Sequence, residues 1–467
     1  MKKLTNADYK QIILRRDPRY DGRLYFGVTT TKIYCRPVCP ARPKFENIVV
    51  YKSPSEAEKN GCRACLRCRP DLAPGNKFIN PGGNLAAQGL RLIEETAGDD
   101  QHIDSLAEKL GISGRHLRRV FDEQLGASPL EIIQSRKLHL AKQLILETRK
   151  PITEIAFASG FSSVRRFNEA FRKCYRTTPT QMRAARGCKK SDDVGITLSI
   201  PIRKPYNFSN VLSFLKRHAA KGIEEVSDNY YIRFIPARQS YSTIKVTRNK
   251  KEDALQVSMK CVDLKQVYPL LLKIRRLFDV DHNPIHLPDA INIRQSGVRV
   301  PGCFDPFEVA VSIILSQLIS IKQATQKLSD LIQQFGSTID ESRSIYRFPA
   351  PANLVSAEIE QIGITKVKAG AIRALAAMVI NNELSFTYSA DLQITRTRLL
   401  SIKGIGPWTT EMIMMRCFGD ADAFPENDLF IKRALDSNLV DEKIWKTNRS
   451  YMTHFIWNEF GETLSQR

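Results

Sequence analysis

The 467-residue chain contains no stretch approaching the roughly 20 apolar residues of a membrane span. Its opening, MKKLTNADYK, has no apolar run of the kind a secretory leader needs. A soluble, cytoplasmic protein without a membrane partner is therefore expected. Acidic charge is also scarce, with 49 Asp and Glu against 71 Lys and Arg, a formal net charge of +22. An excess of that size points to a polyanionic partner, most simply nucleic acid. The imbalance does not mean disorder, because 42% hydrophobic residues can build cores. At this length, about three domains are expected rather than one. Disulfide spacing is missing too: Cys174, Cys188, Cys261, Cys303 and Cys417 are scattered, which fits a reducing compartment.

The other five cysteines are crowded together. Cys35 and Cys39 form CRPVC, and Cys62, Cys65 and Cys68 follow in CRACLRC. A C-x3-C pair and a C-x2-C pair, joined by a loop, can converge on one tetrahedral Zn²⁺. Arg36, Arg42, Lys44, Arg63, Arg67 and Arg69 surround the cysteines. Four thiolates on one Zn²⁺ carry about two net negative charges, which suits them to attack an electrophile. A purely stabilising zinc knob satisfies the same spacing.

Two polar seams divide the chain, APGNKFINPGGN at 73–84 and RGCKKSDDVG at 186–195. Residues 1–75 carry a net +9 and residues 76–195 a net +6, so most of the excess lies in under half the chain. In the middle segment Ile103, Leu106, Ala107 and Leu110 recur at helical spacing, with Asp104 placed to cap the start. Gly111-Ile112-Ser113 breaks that helix, and GRHLRRVF begins a second, basic one. The pattern returns in ITEIAFASGFSSVRRFNEAF, residues 152–171, with Gly160 at the turn. LEIIQSRKLHLAKQLILE, between the two, reads as one long amphipathic helix. Two helix-turn-helix units so joined could enter successive grooves about 34 Å apart, although a helical bundle with solvent-facing arginines has the same periodicity.

From about residue 198, LSIPIRKPYN, YYIRFIP and DALQVSMKCV predict a small sheet ahead of a helical region. In LLSIKGIGPWTTEMIMM, Gly404 and Gly406 predict a hairpin between helices, with Pro407 at the first helical position. The backbone N–H groups there suit a DNA phosphate. Asp428, in FPENDLFIKRAL, follows a turn marked by Pro425 and Asn427. On the sequence alone it reads first as a helix N-cap, and otherwise as a carboxylate aimed into a cleft beside the hairpin.

Residues 86–186 resemble the paired helix-turn-helix domain of AraC/XylS-type activators, through GFSSVRRFNEAFRKCYRTTPTQMR. The resemblance implies that Arg115, His116 and Arg118, and then Ser163, Arg165 and Arg166, face the groove. Residues 6–75 resemble the methyl-acceptor domain of Ada-type regulators, through RDPRYDGRLYFGVTTTKIYCRPVCPAR and CLRCRPD. That implies Cys35, Cys39, Cys65 and Cys68 as zinc ligands, Cys35 as acceptor of a methyl group from a DNA methylphosphotriester, and Arg42 at the DNA. Cys62 departs from the family pattern; it could compete as a ligand or belong with Cys65 and Cys68 to an iron–sulfur site. Residues 198–460 resemble the helix-hairpin-helix glycosylases, most closely the AlkA type, through PGCFDPFEVAVSIILSQLIS, GIGPWT, the Pro-x-x-Asp-Leu run and RSYMTHFIWNE.

This last resemblance implies Asp428 as catalytic carboxylate, Leu318 as the wedge that enters the duplex, and Trp408 and Trp457 lining the base pocket. Trp408 stands where strand-cleaving relatives carry a Lys, so a monofunctional glycosylase is expected, with no cofactor for that step. Met412 and Leu429 stand where some relatives have pocket tyrosines. No Pro-Cys-His-x-Val run occurs, so repair of O6-methylguanine is not expected. The expected fold is multidomain α+β: a small α/β zinc domain at 1–76 and an all-α double helix-turn-helix at 85–187. A β-rich subdomain follows at 198–295, then a mostly helical helix-hairpin-helix domain at 296–467. The expected function joins methyl sensing, transcription activation and excision of N-alkylated bases by a monomer that also contacts RNA polymerase. The alternative is a pure activator whose C-terminal half only clamps DNA.

Overall fold

The computed structural model describes residues 5–73, 85–95, 103–186, 195–237, 241–251, 253–284, 287, 293–387, 389–437 and 447–461. Cys188 and most of both sequence seams lie outside them. The chain forms two compact units, 1–201 with 262–272, and 202–261 with 273–467. Among the described residues no helix is long and apolar enough to cross a membrane.

In the first unit, Tyr25–Val28, Ile33–Cys35, Ile48–Tyr51 and Arg63–Ala64 make a four-stranded sheet. The first two strands form a hairpin that pairs Phe26 with Cys35. Phe26 and Tyr34 are fully buried in it. The two-residue strand Arg63–Ala64 runs parallel to Ile33–Cys35, which delivers the second cysteine group beside the first.

The helices that follow match the repeated pattern. Helix Gly114–Leu125 is capped by the Ser113 hydroxyl, which accepts from the His116 N–H. Helix Val164–Tyr175 is capped the same way by Ser163, from the Arg166 N–H. The turns ahead of both hold Gly111 and Gly160 at φ +65° and +80°, left-handed backbone that glycine adopts without a Cβ clash. Helix Pro129–Glu147 joins the two motifs, opened by a capping box between Ser128 and Glu131. Asp104 sits inside helix Ile103–Lys109, in its first turn. There a carboxylate meets the positive end of the helix dipole instead of preceding the helix as the spacing suggested.

In the second unit, strands Glu224–Val226, Tyr230–Pro236, Tyr241–Asn249 and Ala254–Lys260 pair antiparallel in sequence order. A helical body follows, built around Pro306–Ser316, in which Ala310, Val311, Ile314 and Leu315 are fully buried. The helix is apolar nearly all round because other helices cover it; each such Leu or Ile contributes about 1.5–3 kcal/mol. A short hairpin, Ser337–Asp340 with Ile345–Arg347, interrupts the helices without a clear sequence signal. The architecture is multidomain α+β, as the sequence indicated.

Candidate functional site

Backbone pairing assembles the cysteine cluster. The Cys65 N–H donates to Tyr34 O at 2.9 Å, and the Cys39 N–H to Arg36 O at 3.0 Å. The ligand atoms of Cys35, Cys39, Cys65 and Cys68 all lie within 4.8 Å of one another. Tetrahedral Zn–S bonds of about 2.3 Å need sulfurs about 3.8 Å apart, so this quartet fits the ion. Arg36 supports it: its N–H reaches Cys68 Sγ at 3.4 Å, and its guanidinium spans Cys68 O and the Asp21 carboxylate. Hydrogen bonding with Cys35 is the largest influence holding the Cys39 thiol down at about 7. Cys62 is not part of the quartet. It is buried elsewhere, with its sulfur 3.8 Å from the Tyr51 hydroxyl. Cys35 and Cys39 are almost fully buried, while Cys65 and Cys68 are half-buried. Arg42 lies exposed on the loop after Cys39.

Arg115, Arg118, Arg165 and Arg166 are exposed and His116 half-buried, on their two helices. The opposite faces bury Leu117, Val120 and Phe121 in one and Phe167, Phe171 and Tyr175 in the other. Ser163 differs from its neighbours because its hydroxyl is committed to the helix cap.

Charged contacts join the zinc domain to the long helix Pro129–Glu147, and no sequence pattern announced them. Lys142 and Asp71, both side chains with no exposed area, approach to 2.5 Å. Burial would raise Asp71, but Lys142 and then Arg69 outweigh it and hold the carboxyl at about 2. Arg69 also pairs with Glu147 at 2.6 Å. Glu58 accepts from the Tyr34 hydroxyl at 2.8 Å and lies 2.8 Å from His139 Nε2. Tyr34 precedes Cys35 on its strand, so the strand that carries Cys35 is tied to the long helix through Tyr34, Glu58 and His139.

In the second unit, Gly404 has φ +96°, and an added Cβ there would meet Val367 Cγ1 at 2.9 Å. Gly406 is the N-cap of helix Pro407–Cys417. Asp428 is a helix N-cap, one of the two roles its position in the sequence allowed. Its Oδ1 caps helix Leu429–Asp436 from the Phe430 and Ile431 N–H groups. The carboxylate is also gripped by two indoles, with Trp457 Nε1 donating to Oδ1 at 3.2 Å and Trp408 Nε1 to Oδ2 at 3.3 Å. A carboxylate accepting this many N–H bonds is fixed in direction. Leu318 is 103% exposed at a loop tip. Met412 is buried and Leu429 exposed.

Family models match three stretches: the metal binding domain of Ada over residues 8–71, a helix-turn-helix domain over 106–185, and the AlkA N-terminal domain over 197–305. The Escherichia coli protein "DNA-3-methyladenine glycosylase 2" is 28% identical, over 55% of this chain and 95% of its own. The Escherichia coli "Bifunctional transcriptional activator/DNA repair enzyme Ada" is 32% identical over 34% of this chain and 43% of its own. A Mycobacterium tuberculosis protein, "Probable bifunctional transcriptional activator/DNA repair enzyme AlkA", is 32% identical over 97% of this chain and 96% of its own. With all three modules present in the same order as the sites described above, the chain belongs to the family of bifunctional transcriptional activator/DNA repair enzymes of the AlkA type.

Proposed function

We propose that this protein accepts methyl groups from DNA methylphosphotriesters on a cysteine held by one zinc ion, activates transcription in response, and excises N-alkylated bases as a monofunctional glycosylase. The observation that carries the glycosylase reading is the Asp428 carboxylate, held by two indole N–H groups at 3.2 and 3.3 Å. An N-alkylated purine such as 3-methyladenine carries positive charge and leaves readily. The site therefore has to extrude it, stack it on the electron-rich faces of Trp408 and Trp457, and stabilise the sugar cation left as the C1′–N bond breaks. Asp428 supplies the negative charge for that cation. Water then adds to C1′ and loses a proton, giving an abasic sugar and a free base. With Trp408 where a Schiff-base Lys would stand, the DNA strand stays intact.

On the zinc side, Cys35, Cys39, Cys65 and Cys68 would hold the ion, which would keep their sulfurs as thiolates. The Cys35 sulfur attacks the methyl carbon of the triester; a C–S bond forms, the C–O bond breaks, and the phosphate leaves as an ordinary anionic diester. A thiolate becomes a neutral thioether, the local negative charge falls by about one, and affinity for DNA phosphates rises. Arg42, Arg115, Arg118, Arg165 and Arg166 meet the duplex at the sensor and reading helices, and Gly404 and Gly406 grip it at the hairpin. We extend the reading to a monomer that contacts RNA polymerase in the cytoplasm.

The test is release of free 3-methyladenine from methylated duplex DNA by the wild type and by Asp428→Asn. Release by the wild type, with loss in the mutant despite retained DNA binding, supports the assignment. Release by neither leaves a DNA clamp. Peptide mass mapping after incubation with methylphosphotriester DNA should place the methyl on Cys35; finding it on half-buried Cys65 or Cys68 would reassign the acceptor.

A further inference from the structure

Leu318 sits between two capped helices. Pro306–Ser316 ends just before it, and Ser320 opens Ile321–Phe335 with a capping box to Gln323. Its φ of +57° is unusual for a residue with a side chain. Backbone of that kind persists where its surroundings over-determine it. Two side chains do so here. Gln317 Nε2 donates to Gly404 O at 2.9 Å and to Thr409 Oγ1 at 2.8 Å, both in the hairpin segment. Lys368 Nζ donates to Gln317 O at 2.6 Å and to Leu315 O at 3.0 Å.

Lys368 is only 9% exposed and forms no ion pair among the described residues. Its charge is met by carbonyls at the negative end of helix Pro306–Ser316. The helix that carries it, Lys366–Ile380, also packs Val367 and Ala371 against Gly404. Loop tip, lysine helix and hairpin therefore meet at one point.

We infer that Gln317 and Lys368 are positioning residues that lock the Leu318 tip to the Gly404 hairpin, so that the wedge entering the duplex and the backbone gripping it act as one rigid piece. The inference rests on the glycosylase reading of Leu318 and deepens it. A wedge held at its working angle loses no ordering entropy on insertion, and small misplacements of such a group cost rate steeply.

The test uses the full-length protein and single-turnover base release from two duplexes. In one, 7-methylguanine is paired with cytosine; in the other it faces an abasic site, where extrusion costs less. Lys368→Met and Gln317→Leu should slow release at least about tenfold on the paired duplex and less than about threefold opposite the abasic site. Lys368→Arg, which keeps two donors, should stay within about threefold of wild type on both. Adding Lys368→Met to Leu318→Ala should cost little more than Leu318→Ala alone, because residues acting as a unit are non-additive.

Equal losses on both duplexes, or additivity with Leu318→Ala, overturn the inference. Should Lys368→Met not fold, Gln317→Leu at its half-buried position decides the same question. Fluorescence of 2-aminopurine beside the lesion reads wedge insertion without catalysis. Its rise on binding should shrink in both variants even if the wild type releases no base, which separates failure of the wedge from failure of the glycosylase reading. An unchanged rise in both variants overturns the inference.

Discussion

Lys142, on the long helix Pro129–Glu147, has no exposed area and faces the equally buried Asp71, whereas Lys368 in the second unit is buried against carbonyl oxygens. Both are cations removed from water, and the way each is neutralised indicates its work. A buried ion pair gains little net stability, since desolvation offsets most of the attraction, but it penalises every arrangement that separates the partners. Lys142 and Asp71 thereby specify how the zinc domain seats on the DNA-reading helices. Carbonyl capping has no charged partner whose separation would be penalised in this way. It fixes a few backbone atoms, which suits a residue that aims a loop.

Metal removal from the first unit should have the largest effect. Four thiolates packed within 4.8 Å repel one another without a cation. Structural zinc sites of this kind contribute about 10–16 kcal/mol to folding. A strong chelator should expose the sheet of residues 25–64 to hydrogen exchange while leaving base release intact. Persistent protection of Phe26 and Tyr34 amides would mean that the sheet stands without its metal.

Next comes the lysine comparison itself. Lys142→Met leaves Asp71 buried and without its main partner, and should destabilise the first unit by about 3–5 kcal/mol in denaturant unfolding. Lys142→Met with Asp71→Leu should recover most of that. Failure of the double variant to recover would show that Arg69, 3.7 Å from Asp71, and Glu147 carry the interface instead. Lys368→Met should cost only about 1–3 kcal/mol, the penalty of two unmet carbonyls, so stability and function rank the two lysines in opposite orders.

What could be read from the sequence follows the range of each interaction. The cysteine cluster was legible because metal geometry restricts ligand spacing within a short segment, while the choice of Cys65 and Cys68 over Cys62 came only through resemblance. The parallel strand that unites its halves was not, since Arg63–Ala64 is two residues long and carries no periodicity. The paired helix-turn-helix was legible from repetition and turn glycines. Asp428 was legible as a cap, and its catalytic role came only through resemblance; the two indoles that hold it lie 20 and 29 positions away. Gln317, Lys368 and the hairpin were invisible as a group, because their partners stand 51 to 92 positions apart and each residue alone reads as an ordinary surface side chain.

Two histidines, His454 buried and His218 half-buried, extend the comparison to groups that avoid the cost of burial by staying neutral. Burial, with Arg416 adding repulsion, pushes His218 down to about 4 and holds His454 well below its ordinary range. The charged groups facing them are Arg416 and Arg217, with His218 also acting on His454 and the Phe214 carbonyl partly offsetting the shift of His218. Their folded pKa values lie below the unfolded value of about 6.5, so the unfolded chain binds more protons as pH falls. Stability of the second unit should therefore decline from about pH 6.5, with the His218 share lost by about pH 4 and amounting to at most about 3 kcal/mol. His454→Leu should flatten this acid limb in pH-dependent melting; an unchanged limb would assign it to other groups.

The smallest effect separates a cap from a reader. The Ser163 hydroxyl accepts the Arg166 N–H at 3.2 Å, as Ser113 does for His116, so either serine to alanine should cost about 1 kcal/mol of stability. Asparagine caps a helix as well as serine does but presents a different donor and acceptor pattern to a base edge. If Ser163 serves only the helix, Ser163→Asn keeps both stability and operator preference. If it also reads a base, the same variant keeps stability and shifts preference at one position of the operator. Arg166, exposed in the same first turn, should then change preference when replaced by Lys even where Ser163→Asn does not, because the bidentate fork that reads guanine is lost while the charge stays.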